Sequence, residues 1–281
     1  MTDFITFARV HGVDIPALRQ GDQIFRCPTV THPSSTNGAY YFDGRRGWVQ
    51  NWETGEPVRW WNDDKVTPWS ESEKREWAAR RKSAEVAKAK SHQEAAKRAS
   101  ALMATTKRCE HPYLVEKGHP EAIGMVLPEG GLFIPMRDLS GALKGAQVIR
   151  LVDNAWEKKM IFGMQAKGAV FRIGPNRAAE TYLVEGYSTG LSVDTALRLS
   201  RLDASVLVCF SASNLVHVAQ VTAGKRFVFA DNDASGTGLR AAQSSGLPYC
   251  MSDIEGEDAN DLFKRAGVMA VVKKLMEARR R

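Results

Sequence analysis

Acidic residues at the ends of two strand-like segments limit most strongly what this chain can fold into. Glu185 ends the apolar run TYLV, and Asp231 and Asp233 follow the run RFVFA. Both runs predict strands of a mainly parallel sheet, and ligands bind at the carboxyl ends of such strands. Carboxylates that meet there repel each other unless a cation lies between them, and hard oxygen ligands suit Mg²⁺ or Mn²⁺. The pattern therefore predicts a metal site for nucleotidyl-transfer or phosphodiester chemistry.

The spacing of these motifs is more specific than either motif alone. A strand ending in Glu-Gly is followed, 46 residues after Glu185, by a strand ending in Asp-x-Asp-x-x-Gly. An isolated acidic pair would be weak evidence, because such pairs often only cap a helix. The combination resembles the TOPRIM domain, the metal-binding fold shared by bacterial-type primases, topoisomerases and some nucleases. The resemblance implies that Glu185, Asp231 and Asp233 are catalytic, metal-holding carboxylates, and Gly186 and Gly236 fit tight turns beside them.

The segment before the acidic motifs narrows the resemblance. The stretch LFIPMRDLSGALKGAQVIRLVDNAWEKKMIFG is similar to the basic subdomain of the polymerase core in bacterial replicative primases. The positions that match that family's basic residues are Arg137, Arg150, and Lys158 or Lys159. The motifs EGYST and SASNLVHVA resemble still more closely the Toprim primase-like proteins of conjugative plasmids and phages. The likeness covers roughly residues 110–265. It implies that these basic side chains form one ridge along the path of the template or nucleoside triphosphate.

Two positions depart from the replicative primases. Thr189 stands where that family carries an acidic residue just after the glutamate, so one supporting carboxylate is missing. In the segment EGEDAND, Asp258 matches the first aspartate of the family's GxDPD motif, but Asn260 replaces the second. Either Asp261 substitutes for it or a second metal is held more weakly. The resemblance thus adds Asp258 to the metal-binding residues.

Positive charge is concentrated in one segment. The formal net charge is +7, and residues 74–98 contain nine Lys or Arg against three Glu. This segment is rich in alanine and has no proline or glycine, which predicts a long, mostly solvated helix. One interpretation is a spacer between domains. The other is a surface on which Arg80, Arg81 and Lys82 contact a phosphate backbone, and the two are compatible.

Residues 1–69 are rich in aromatic side chains. Their alternation with polar residues around glycine turns predicts a small antiparallel sheet. The segment RCPTVTHPSS resembles the start of a primase zinc ribbon, but of the expected ligands only Cys27 and His32 are present. A closed zinc site needs four ligands, so we predict no zinc. Two interpretations apply to Trp48, Trp52, Trp60 and Trp61. One is stacking on the bases of single-stranded nucleic acid. The other, which is favoured for most of these residues, is packing in the core of a small sheet.

Length and hydropathy set the frame for these motifs. The chain has 281 residues, 43% of them hydrophobic, which is enough for one or two domains. No apolar stretch is long enough to span a membrane, no signal peptide opens the sequence, and the four cysteines lie far apart. These features predict a cytoplasmic protein of a bacterial host cell. The predicted α/β fold consists of an aromatic β module (1–69), a basic helical linker (70–108), a primase-type basic subdomain (109–176), a TOPRIM domain (177–265) and a basic helix (266–281).

These features predict a DNA primase-like nucleotidyltransferase from a phage, plasmid or other mobile element. It would synthesise short primers on single-stranded DNA from nucleoside triphosphates, with a separate replicative helicase as a candidate partner. A TOPRIM nuclease is the leading alternative enzyme. A topoisomerase is not expected, because this chain leaves no room for a tyrosine-bearing cleavage domain. A non-catalytic nucleic-acid-binding regulator is the alternative from another class. Thr189 and Asn260 favour the regulator, whereas the intact trio of carboxylates favours an enzyme.

Overall fold

The computed structural model describes residues 3–63 and 71–280. Within these residues the fold is mixed α/β, with eight helices and fourteen strands in three sheets. The chain forms two compact units, Met1–Arg80 and Arg81–Arg281. The predicted α/β class is therefore confirmed, while the finer domain boundaries stay predictions. The boundary predicted at residues 69 and 70 lies outside the described residues.

The N-terminal unit contains a four-stranded antiparallel sheet and one short helix. The strands follow each other up and down, so neighbours in sequence are neighbours in the sheet. Every second residue of the third strand is buried, as expected for a sheet with one covered face. The elements are α1 (Phe4–Val10), β1 (Gly21–Cys27), β2 (Gly38–Phe42), β3 (Arg46–Asn51) and β4 (Arg59–Asn62).

Aromatic rings form the core of this unit. Phe4 of α1 stacks on Phe42 with 4.7 Å between ring centroids and contacts Trp61 at 5.5 Å. Trp61 therefore packs in the core. In contrast, Trp52 and Trp60 are 54% and 69% exposed. The packing interpretation therefore fits Trp61 but not Trp52 or Trp60.

A 35-residue helix, α2 (Glu71–Thr105), contains the basic segment 74–98 and extends beyond both of its ends. The side chains described between Ser72 and Lys90 are exposed, as the composition predicts. Further along, Ala95 and Ala99 are fully buried. The helix is therefore a solvated surface over most of its length and part of a core near its end.

The next five strands form an antiparallel sheet in sequence order. Alternate residues face different cores: Phe133 and Val148 pack with Ala99, whereas Ile134 and Ile149 join the core of the following sheet. This alternation covers both faces of the sheet. The elements are β5 (Lys107–Cys109), α3 (Pro112–Glu116), β6 (Gly124–Val126), β7 (Leu132–Arg137), β8 (Leu143–Val152) and β9 (Ala155–Met160).

The last five strands form a mainly parallel sheet. They are β10 (Phe171–Ile173), β11 (Glu180–Val184), β12 (Ala204–Val208), β13 (Lys225–Phe229) and β14 (Tyr249–Cys250). Their order is β10-β12-β11-β13-β14, and only β10 is antiparallel to its neighbour. The accompanying helices are α4 (Tyr187–Leu199), α5 (Ala212–Val221), α6 (Thr237–Ser245), α7 (Ala259–Ala266) and α8 (Val268–Arg279).

Helices cover both faces of this parallel sheet. Residues of α4, α7 and α8 share one apolar cluster with it, and residues of α5 and α6 share the other. Strands covered on both sides are apolar along their whole length, which explains the runs seen in the sequence. Val271 and Leu275 of α8 are fully buried. None of the helices in the described part of the chain is long and apolar enough to span a bilayer.

Candidate active site

Glu185 and Asp231 lie at the same edge of the parallel sheet. β11 and β13 are neighbouring parallel strands; Glu185 is the first residue after β11, and Asp231 is the second residue after β13. Neighbouring strands are about 4.8 Å apart, so the backbone holds the two residues side by side. Asp233 follows in the same loop.

A second loop brings Asp258 to this edge. The N–H of Asn232, which lies between the two aspartates, donates to the carbonyl oxygen of Glu257 at 3.0 Å. The carbonyl oxygen of Asn232 accepts from the N–H of Gly256 at 2.6 Å. Its side-chain Nδ2 donates to the carbonyl oxygen of Ser252 at 3.1 Å. The four carboxylates that the sequence assigns to metal binding therefore belong to one edge of the sheet.

Asp231 is the carboxylate whose surroundings disfavour its charge most. Burial raises its pKa to about 8, and the negative charges of Asp258, Glu185 and Asp233 act in the same direction. Its Oδ1 is buried and has no hydrogen-bond partner in the described part of the chain. A buried, unpaired carboxylate oxygen is costly. Either a proton or a cation removes that cost.

Glu185 is perturbed in the same direction. Burial raises the pKa of this carboxyl, the charge of Asp233 raises it further, and a hydrogen bond from the backbone N–H of Ala212 opposes both. The charges of these strand-end carboxylates therefore raise one another's pKa, as their spacing predicts.

The pKa of Asp233 is shifted in the opposite direction, below its usual value. Its Oδ1 accepts from the N–H of Thr237 at 3.0 Å and from the Ser235 hydroxyl, and its Oδ2 accepts from the N–H of Gly238 at 2.7 Å. Burial raises its pKa, but these hydrogen bonds outweigh burial and hold the pKa below its usual value. Asp233 therefore caps the start of α6. Gly236 at this turn has a φ of 67°, the left-handed region that glycine favours.

Thr189, which stands where the replicative primases carry an acidic residue, is hydrogen-bonded to Asp258. Its hydroxyl Oγ1 donates to Asp258 Oδ2 at 2.9 Å. The other oxygen of Asp258 accepts from the N–H groups of Asn260 and Asp261 at 2.6 and 2.9 Å, which caps α7. The carboxylate expected at position 189 is replaced by a hydroxyl donor, and that donor orients Asp258 without adding charge.

The side chain of Asn260 makes its hydrogen bonds in a buried network and not to the carboxylates. The side chain is 1% exposed, and its Nδ2 donates to the carbonyl oxygen of Lys117 at 2.7 Å and to the Ser192 hydroxyl at 3.0 Å. Asp261, the candidate substitute, accepts from the N–H of Asp258 at 3.2 Å and completes the helix cap. The Nδ2 of Asn260 and the carboxylate of Asp261 therefore both make structural hydrogen bonds, whereas the Oδ1 of Asn260 is buried without a partner among the described residues.

His119 belongs to the same buried network, which the sequence did not reveal. Its Nε2 lies 3.0 Å from the Ser192 hydroxyl, and its ring stacks on Phe263. Burial, followed by the charge of Arg198, lowers its pKa to about 4, so the ring is neutral near pH 7. The His-Pro dipeptide indicated only a turn, and no local signal distinguishes a buried histidine from one in a loop.

The fit of this edge to a divalent cation can be judged from its donors. Hard carboxylate oxygens are suitable ligands for Mg²⁺ or Mn²⁺, and the unpartnered Oδ1 of Asp231 is an atom that a cation would satisfy. Over residues 3–63 and 71–280, no three His, Cys, Asp or Glu side chains are already arranged to hold a metal ion. The donor set therefore fits, and its side chains would have to turn towards each other on binding.

The predicted basic residues are spread over the antiparallel sheet. In the antiparallel β7–β8 hairpin, Arg137 pairs with Leu143 beside the turn, whereas Arg150 follows Ile149, which pairs with Leu132 at the other end. The arginines are therefore separated along β8 by roughly 20 Å, given a rise of about 3.3 Å per residue. The register of the hairpin thus places the two arginines towards opposite ends of β8, and their shared role in binding stays a prediction.

The two lysines are separated in a different way. Lys158 and Lys159 are consecutive on β9 and point to opposite faces of the sheet. The Lys158 Nζ lies 5.6 Å from the ring centroid of Tyr113, whereas the Lys159 Nζ forms an ion pair with Glu157 at 2.7 Å. Lys159 is therefore on the face of β9 opposite to the one from which Lys158 contacts Tyr113.

Arg137 is linked through the backbone to the parallel sheet. Its N–H donates to the carbonyl oxygen of Val170 at 2.8 Å, and its own carbonyl oxygen accepts from the N–H of Val170 at 2.7 Å. Val170 precedes β10, whose first residue lies in one row with Val208 and Val184, the last residues of β12 and β11. Arg137 is thus at the carboxylate edge. Arg150 instead pairs with Glu129 at 2.7 Å.

The remaining predicted contacts lie on α2 and in the N-terminal unit. Arg80 and Lys82 are exposed on α2, and the side chain of Arg81 lies outside the described residues. Cys27 is buried in an apolar cluster, and burial raises the pKa of its thiol to about 11. His32 Nδ1 lies 3.0 Å from Glu53 Oε1. Both zinc-ribbon positions thus have other surroundings, and the absence of zinc stays a prediction.

No protein-family model matches this chain, and no curated protein matches its sequence. Its fold is similar to solved primase domains. The DnaG primase catalytic domain bound to ssDNA is 17% identical with a TM-score of 0.37, over 52% of this chain and 51% of that chain. The RNA polymerase domain of Mycobacterium tuberculosis primase DnaG is 18% identical with a TM-score of 0.36, over 58% and 61%.

A third similar structure is a chain from a bacteriophage T7 complex. That complex contains the lagging-strand DNA polymerase interacting with primase domains of two gp4 subunits, which are bound to an RNA/DNA hybrid and dTTP. The chain is 14% identical with a TM-score of 0.42, over 62% of this chain and 91% of that chain. The present chain spans only about half to three-fifths of the two DnaG domains.

Proposed function

We propose that this chain is a DNA primase-like nucleotidyltransferase that synthesises short primers on single-stranded DNA with divalent cations. The observation that carries the proposal is Asp231, a buried carboxylate at the edge of a parallel sheet. One of its oxygens has no hydrogen-bond partner among the described residues, and four acidic neighbours surround it. Such a group is unfavourable by itself and well suited to Mg²⁺ or Mn²⁺. On this proposal the parallel sheet is a TOPRIM domain and the antiparallel sheet is a primase-type basic subdomain.

The side chains at this edge divide the chemical tasks. Glu185, Asp231, Asp233 and Asp258 would hold the divalent cation, which supplies activation of the attacking hydroxyl and stabilisation of charge on the phosphoryl oxygens when bound. Thr189 would keep Asp258 oriented through its hydrogen bond. Arg137 would contact phosphate oxygens of the template or of the incoming triphosphate. The reaction joins a 3′-hydroxyl to the α-phosphorus of a nucleoside triphosphate and releases pyrophosphate.

The partners follow from this reaction. They are single-stranded DNA, nucleoside triphosphates and, as a separate protein, a replicative helicase. Exposed basic residues on α2 would add phosphate-backbone contacts. The setting we propose is the cytoplasm of a bacterial host carrying a phage, plasmid or other mobile element.

A non-catalytic nucleic-acid-binding regulator is the second candidate, and one observation favours it. Both carboxylate oxygens of Asp233 already accept hydrogen bonds in the cap of α6. A residue that only caps a helix needs no cation. In a regulator, the strand-end carboxylates would remain from an ancestor whose metal site is no longer used.

One experiment separates these functions. The protein is incubated with single-stranded DNA, labelled nucleoside triphosphates, and Mg²⁺ or Mn²⁺, with Asp231→Asn as the matched control. We expect extension products that require both nucleotides and metal and that disappear in the variant. Metal-dependent cleavage without extension would instead assign a TOPRIM nuclease. Binding of the DNA with neither product would support the regulator.

A further inference from the structure

A cleft of about 770 Å³ lies beside the β7–β8 turn and the edge strand β10. Three arginines and one acidic residue are among the residues that line it: Arg137, Arg172, Arg177 and Asp138. Its volume is in the range of pockets that hold small molecules. The balance of charge in its walls therefore determines which ligand it suits.

Arg172 is a half-buried cation that has no counter-charge among the described residues. Its guanidinium donates to the Ser205 hydroxyl at 2.9 Å, and burial lowers its pKa. Among the described residues, no carboxylate forms an ion pair with Arg172 or with Arg177. A partly buried charge that lacks a partner is costly. An anion in the cleft would remove that cost.

Asp138 does not supply the missing negative charge. Its Oδ1 accepts from the Ser140 hydroxyl and from the N–H of Ala142, and its Oδ2 pairs with Lys144 at 3.1 Å. The hydrogen bond from Ser140, reinforced by Lys144 and Ala142 against burial, lowers its pKa to about 2. Asp138 is thus ionised but already neutralised by Lys144. The arginines leave the cleft with a net positive charge.

We propose that this cleft binds phosphate groups through Arg172 and Arg177, with Arg137 at its side. Guanidinium groups bind phosphate oxygens in a bidentate manner. The preference for a multiply charged anion follows from the cleft alone, whereas the choice of a nucleotide or a DNA strand as its carrier rests on the proposed function. β10 lies two strands from β11, about 10 Å along the sheet. A phosphate here is therefore beside the carboxylates and not on them.

Binding can be measured without catalysis. Isothermal titration is carried out in EDTA and low salt with sodium tripolyphosphate, with ATP, and with a single-stranded oligonucleotide that lacks terminal phosphates. We expect Arg177→Ala and Arg172→Leu each to weaken binding about tenfold or more. Arg108→Ala, which removes one charge from an exposed position on β5, is the matched control and should bind like the parent.

The three ligands identify the source of the phosphate. Losses confined to tripolyphosphate and ATP assign the cleft to free nucleotides, and losses confined to the oligonucleotide assign it to the strand backbone. If Arg177→Ala affected none of the ligands more than Arg108→Ala does, the proposal would be overturned. Because no metal or turnover is involved, a protein that binds phosphate here but makes no primer would refute only the proposed function.

A second readout excludes a purely structural role for Arg172. Removal of an unpaired, half-buried charge should raise the melting temperature of Arg172→Leu in the absence of anions. The parent should be stabilised by tripolyphosphate, and the variant should not. A variant that melts lower than the parent without anions would contradict the uncompensated charge. In that case Arg177→Ala, at an exposed position, still decides whether the cleft binds phosphate.

Discussion

The acidic edge of the parallel sheet and the basic side chains of the antiparallel sheet are positioned by different rules. Each acidic residue follows the end of a parallel strand, and the carboxyl ends of parallel strands share one edge. In the antiparallel sheet, successive strands end at opposite edges and successive residues face opposite sides. Arg137 and Arg150 are separated because they lie near opposite edges of the antiparallel sheet. Lys158 and Lys159 are separated because they are successive residues that face opposite sides. Similar strand-end motifs therefore imply proximity only where the strands are parallel.

The largest effect is expected at the acidic edge. Asp231→Asn should lower metal-dependent activity by about three orders of magnitude, ~4 kcal/mol of transition-state stabilisation, because it removes a charged ligand from the site. It should not destabilise the metal-free fold, since the charge it removes is repelled by its neighbours. Activity and thermal melting are measured on the same preparations. An active Asp231→Asn variant would break the assignment of this edge as the reaction centre.

The two arginines of the antiparallel sheet, Arg137 and Arg150, are expected to differ in their effect on activity. Arg137→Ala should lower activity by about tenfold or more, because Arg137 is hydrogen-bonded through its backbone to Val170 at the carboxylate edge. Arg150→Ala should change it by less than about threefold, because Arg150 lies at the far end of the hairpin in an exposed pair with Glu129. Primer extension at saturating and limiting nucleotide compares them. Comparable losses in both variants would instead indicate a single basic ridge that includes Arg150.

Stability should depend on pH through Asp231. Its pKa is about 8 in the fold against 3.8 as the ordinary value, so the folded state retains a proton that the unfolded state has lost. Stability from this group is therefore present below pH 4 and is lost as pH rises towards 8. The melting temperature of Asp231→Asn relative to the parent should increase by about 5 °C between pH 5 and pH 8. Saturating Mg²⁺ at pH 8 should reduce that difference, and a pH-independent difference would contradict the raised pKa.

Local patterns predicted the acidic edge and the sheet that carries it. The residue pattern placed Glu185 and Asp231 directly after strands, and the parallel pairing of those strands brings the two residues to the same edge. Partners distant in sequence were not predictable in the same way: the hydroxyl of Thr189 reaches Asp258, and the amide of Asn260 reaches Lys117. Such contacts depend on how helices and loops pack, for which a single sequence carries no periodic signal. The hairpin register that divides the basic residues is a tertiary property of the same kind.

A third pair of variants tests whether Asp233 is a metal ligand, a helix cap or both. Asp233→Ala should lower stability by about 1 kcal/mol, or ~2–4 °C in melting temperature, because it removes the acceptor that caps α6. Asp233→Asn keeps a capping oxygen and should melt close to the parent. If both variants lose metal-dependent activity, Asp233 is a ligand as well as a cap. If Asp233→Asn remains fully active, Asp233 serves only as a cap.

The smallest effect is expected on α2, where helical position and not strand register exposes the basic side chains. Changing Arg80, Arg81 and Lys82 together to glutamine should reduce the slope of log affinity against log salt by up to about 2 for single-stranded DNA, at ~0.7 for each lost phosphate contact. Divalent-metal binding should not change. Neutralising three exposed basic residues elsewhere, Arg108, Lys264 and Lys273, is the control for total charge. Equal slopes for the two triple variants would make α2 a spacer whose charge acts only through the net charge of the protein.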